Sequence, residues 1–88
     1  MEKMVKGSWV FKAEASEDSI RNFLQEFIDG GYLVLHKIRA CNVLNADYTP
    51  TGESVMVAEF LTTESNLKQF QKEFGDLSTI REGWVNYL

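Results

Sequence analysis

The chain has 88 residues, a formal net charge of −4, and 44% hydrophobic and 25% charged residues, a balance suited to one small hydrophobic core and one domain over residues 1–88. A single cysteine excludes an internal disulfide, and without a long apolar run or a basic-then-apolar leader the expected setting is cytoplasmic, with no membrane association. The acidic balance makes nucleic acid an unlikely partner, because such binders draw their affinity from lysine and arginine on phosphates.

Residues 1–7 carry Lys3 and Lys6 and read as a fraying start. Residues 8–15 alternate, with Trp9, Phe11 and Ala13 on one side and Val10, Lys12 and Glu14 on the other, the pattern of a half-buried strand. Ser16 is a natural N-cap, followed by Glu17 and Asp18 where the helix dipole favours carboxylates. Ile20, Phe23, Leu24, Phe27 and Ile28 then form one stripe at helical spacing, closed by the C-capping pair Gly30-Gly31.

Residues 32–44 and 54–61 are rich in β-branched and large apolar side chains and flank a loop holding Asp47, Pro50 and Gly52, so they read as a long hairpin turning at Thr49 to Gly52. With Leu44 opposite Ser54, Ile38, Ala40, Asn42, Met56, Ala58 and Phe60 share one face. Lys37, Arg39, Cys41, Val43, Val55, Val57, Glu59 and Leu61 share the other, with Arg39 opposite Glu59 as an ion pair. Thr62 or Thr63 caps a second helix with a stripe of Leu67, Phe70, Phe74 and Leu77, which Gly75 weakens near its end, and residues 80–88 read as a last strand in which Gly83 marks a bulge.

Strand, helix, strand, strand, helix, strand predicts an α+β, single-domain, ferredoxin-like βαββαβ sandwich: a four-stranded antiparallel sheet with two helices on one face and a long hairpin between the second and third strands. The helices leave the other sheet face open. That face is the expected interaction surface, formed by Val10, Lys12, Glu14, Lys37, Arg39, Cys41, Val43, Val55, Val57, Glu59 and Leu61, and an apolar patch of this kind marks an interface. A two-fold homodimer through it is the economical expectation, with a different protein as the other partner.

No catalytic set or metal spacing stands out. His36 and Cys41 lie five positions apart on one strand and so point to opposite faces; the histidine reads as a structural polar residue and the cysteine as a small apolar one. Asp47, Thr49, Thr51 and Glu53 alternate oxygen-bearing side chains, but Pro50 stands where an EF-hand loop needs glycine, so this is a solvated turn. Residues 55–60 resemble the third-strand motif of RNA-recognition domains, with Phe60 turned to the helices rather than to a base. The expected function is therefore a small non-enzymatic interaction or regulatory module, of adaptor or inhibitor type, without cofactor or metal. The alternative is a dimeric α+β barrel enzyme or small-ligand sensor in which Lys12, Lys37, Arg39 and Glu59 line a pocket between facing sheets.

Overall fold

In the computed structural model, which describes residues 2–74 and 79–82, the first strand starts earlier than its alternation suggested. β1 (Met4–Lys12) takes in the stretch expected to fray, and Ala13 and Glu14 fall in the turn after it, where the Ala15 N–H donates to the Lys12 carbonyl. Gly7 hid this extension. It pairs with Phe60 on the next strand, whose ring lies across it so closely that a β-carbon at position 7 would stand 2.7 Å from the ring. Glycine there admits the aromatic rather than weakening the strand.

α1 (Glu17–Asp29) begins at Ser16, whose hydroxyl accepts from the Ser19 N–H at 3.1 Å. It ends in a Schellman turn, with the Tyr32 N–H donating to the Phe27 carbonyl and the Gly31 N–H to that of Ile28. The two glycines have separate reasons. Gly31 supplies the left-handed φ of +77°, whereas Gly30 has an ordinary φ of −76° and is small because the Tyr32 ring lies on it.

β2 (Leu33–Leu44) and β3 (Pro50–Thr63) form the long hairpin. Pro50 opens β3, a place where its missing N–H costs nothing. The turn is residues 45–49, closed by the Asn45 N–H on the Thr49 carbonyl, and not the Thr49 to Gly52 turn expected. The register is offset by two residues from the expected one: Asn42 faces Ser54, Ala40 faces Met56 and Ile38 faces Ala58. An even offset keeps every side chain on its face. A bulge at His36, between the Leu35–Phe60 and Lys37–Glu59 pairs, then switches parity, so Leu33 and Leu35 share the helix side with Ile38. Gly52, φ +87°, sits in a second irregularity, where one residue of β2 faces three of β3.

α2 (Glu64–Phe74) is capped by Thr63, whose hydroxyl accepts from the Asn66 N–H at 3.2 Å. The Glu2 carboxylate accepts from both the N–H and the hydroxyl of Ser65, tying the start of the chain to this helix. Gly75 and Leu77 lie outside the described residues. The core centres on Trp9, enclosed by Phe11, by Phe23 and Phe27 of α1, and by Phe70 and Phe74 of α2, with ring centroids 5.2 to 6.0 Å away. Both helices therefore cover the Trp9 face of the sheet. Truncating so enclosed an aromatic costs about 3–5 kcal/mol.

The expectation of a four-stranded ferredoxin-like sandwich is corrected. The body of the structure is three long antiparallel strands in the order β2-β3-β1 with two helices, a β-α-β-β-α arrangement. Of the last strand expected over residues 80–88, the described part is β4 (Thr79–Glu82), four residues that edge β1 from Gly7 to Val10. Gly83, Trp84 and the rest of the expected strand lie outside the described residues. The chain is α+β.

Candidate interaction surface

Direct pairing places Lys6, Ser8, Val10 and Lys12 of β1, Val55, Val57, Glu59 and Leu61 of β3, and Val34, Lys37, Arg39 and Cys41 of β2 on the sheet face opposite the helices. Val43 extends this face by alternation, and Met4, opposite Thr63, extends it at the other end. Ten of the eleven residues expected here come together. Glu14 does not, because β1 ends at Lys12.

The apolar centre of this face is closed within the chain. Val57 is fully buried and Cys41 nearly so, while Val10, Val43, Val55 and Leu61 are half-buried. What is exposed and apolar lies at one end, with Val34 at 58% and Met4 at 49% beside Leu61. Neither was expected from sequence. The missed signal is the parity switch between Leu33 and Ile38, which turns Val34 outward on this side.

Glu59 is the buried charge of the face, its side chain 5% exposed. Arg39 Nε donates to its Oε1 at 2.8 Å, reaching diagonally, since Arg39 stands opposite Val57 and Lys37 opposite Glu59. The pair expected as direct neighbours therefore forms across a different register, within the reach of a long side chain. Burial pushes the Cys41 thiol above its ordinary value, with Arg39 opposing and Glu59 reinforcing the effect. That makes it a poor nucleophile.

Charge on the molecule is sorted. The paired part of the sheet face carries Lys6, Lys12, Lys37 and Arg39 against the single carboxylate of Glu59, on a chain whose total is −4. α1 carries Glu17, Asp18, Glu26 and Asp29 against Arg21 alone. The cations line the rim of the face, with Lys6, Lys12 and Lys37 exposed.

Past the Lys12–Val55 pair, β2 and β3 continue with only each other, as a two-stranded arm. Its tip is fixed by its own hydrogen bonds: the Thr49 N–H and hydroxyl both donate to Asp47 Oδ1, and the Thr51 hydroxyl donates to the Val43 carbonyl. The Thr49 hydroxyl first and then the Thr49 N–H hold the Asp47 carboxyl below the usual carboxylate range. Tyr48 stands at the tip, 75% exposed, with a φ of +67° that is unusual for a side chain of its size. His36 is exposed at the bulge. Among the described residues no three His, Cys, Asp or Glu side chains gather as metal ligands, and no helix is long and apolar enough to cross a membrane.

Comparison with protein-family models, with curated proteins and with solved structures finds no match.

Proposed function

We propose that the chain is a non-enzymatic interaction module, of adaptor or inhibitor type, that docks its sheet face and hairpin arm on the acidic surface of another protein. The observation that carries this reading is the pairing of a cationic rim, Lys6, Lys12 and Lys37, with exposed apolar Val34 and Met4 on the face the helices leave uncovered. Complementary charge gives such a contact its specificity and on-rate, and the apolar end anchors it. The same charge weighs against a two-fold homodimer through this face, since it sets like charges against each other. A nucleic acid fits it less well. Among the described residues the face offers no aromatic for base stacking within its paired register, and Glu59 already engages Arg39.

Val57 is a poor probe of this reading, because a change there reports on folding. Lys37→Glu and Val34→Glu alter exposed side chains. Light scattering over a dilution series is expected to show a monomer for wild type and both variants, and a partner captured from the native host should be released by either variant and by raised salt. A concentration-dependent dimer split by Val34→Glu would replace this reading with self-association. The enzyme or sensor alternative draws on the Arg39–Glu59 pair at the middle of the face, and a metabolite that raises the melting temperature of wild type but not of Arg39→Met would favour it.

A further inference from the structure

On the opposite side of the molecule, the C-terminal turn of α1 and the middle of α2 enclose an open groove of about 310 Å³ lined by Phe27, Tyr32, Asn66, Gln69, Phe70 and Glu73. Phe27 and Phe70 meet almost at right angles, 83° with centroids 5.4 Å apart, and form a corner of two ring walls. Tyr32, 53% exposed, supplies the third wall, and its backbone is firmly held. Its N–H donates to the Phe27 carbonyl, its carbonyl accepts from the Thr62 hydroxyl and from Asn66 Nδ2, and its ring lies on Gly30, where a β-carbon would stand 2.6 Å away. The Glu73 carboxylate closes the groove and is oriented by Gln69 Nε2, which donates to its Oε1 at 2.6 Å.

Among the described residues, the one charged side chain that lines this groove is a carboxylate, Glu73. The last turn of α1 carries no basic residue, and Glu26 and Asp29 stand at the end of the helix where the dipole is itself negative, an arrangement that works against helix stability. Three aromatic rings and a carboxylate lining one small groove are the features that attract a weakly hydrated organic cation.

We propose that this groove binds an alkylammonium head, the trimethylammonium group of a small molecule or of a methylated lysine side chain. This site is separate from the sheet face and stands or falls independently of it. The test is NMR titration of wild-type protein, following the ring protons of Phe27, Tyr32 and Phe70, with choline and with its uncharged isostere 3,3-dimethylbutan-1-ol. Choline is expected to shift these signals and to bind roughly 3- to 10-fold more tightly than the isostere. Glu73→Gln should weaken choline by a similar factor. Gly30→Ala, which displaces the Tyr32 ring, should weaken it too, with the melting temperature little changed.

Equal binding of choline and isostere would overturn cation recognition, leaving an apolar groove, and no shift with either would overturn the site. A peptide bearing trimethyllysine, titrated against the same peptide with unmodified lysine, separates the two sources. Tighter binding of the methylated peptide than of choline assigns the groove to a protein side chain, and weaker binding to a small molecule.

Discussion

At the scale of single residues, the most consequential arrangement is Glu59, a carboxylate buried in the sheet and reached only diagonally by Arg39. Removing the guanidinium leaves that charge enclosed without its partner, which in general costs more than the pair itself contributes. Because Arg39 is itself 30% exposed, Arg39→Met is expected to lower stability by roughly 2–3 kcal/mol, short of the value for a fully enclosed pair. Adding Glu59→Leu should restore most of the loss. Urea denaturation of the two single variants and the double variant measures both quantities, and a double variant no more stable than Arg39→Met would show that Glu59 is held by groups other than Arg39. The pairing of Arg39 with Glu59 was legible in the sequence, because opposite charges on one strand face still meet diagonally when the register is offset by two. The burial of Val57 was not, because what covers a central sheet residue is its neighbours and not its own position in an alternation.

At the scale of elements, the helices were read well and the strand ends poorly. Ser16, Gly31 and the stripe from Ile20 to Ile28 carry local signals that fix α1 without reference to anything else. The start of β1, the bulge at His36 and the turn at residues 45–49 depend on what lies across the sheet, which a linear pattern does not contain. The aromatic groove between α1 and α2 was invisible for the same reason, being built from two helices far apart in the chain. The three glycines separate these causes experimentally. Gly7→Ala drives a β-carbon into the fully buried Phe60 ring and should cost about 1–3 kcal/mol as overpacking, while Gly31→Ala strains a left-handed φ for about 1 kcal/mol. Gly30→Ala meets the edge of the exposed Tyr32 ring, with the Glu26 carbonyl 3.3 Å away, and should be nearly neutral because that ring can swing aside. Thermal unfolding ranks them, and a Gly30→Ala variant as unstable as Gly7→Ala would mean that Tyr32 cannot move aside.

At the scale of the whole molecule, the N-terminal end is bound into the fold through Glu2. Its carboxyl is held below the ordinary value first by the Ser65 hydroxyl and then by the Ser65 N–H. A depressed folded-state value means that this contact stabilises above the usual carboxylate range and is lost as pH falls through the folded-state value. Protection of the Ser65 amide, its exchange rate relative to that of an unstructured chain at the same pH, should therefore fall as the pH is lowered below the usual carboxylate range, and Glu2→Gln should flatten this dependence. An unchanged profile would show that β1 and α2 hold together without this clasp.

The same closure has a kinetic consequence. The β2–β3 hairpin forms across residues 45–49, whereas β1 joins β3 with Met4 opposite Thr63, with α1, β2 and most of β3 lying between them in the chain. Local pairing is fast, and contacts that close a long loop come late because the loop entropy is lost before they return anything. The transition state should thus contain the hairpin and lack β1. In stopped-flow refolding, Ile38→Val should slow folding while Val5→Ala mainly speeds unfolding, and the reverse assignment would mean that the first strand, not the arm, nucleates the sheet.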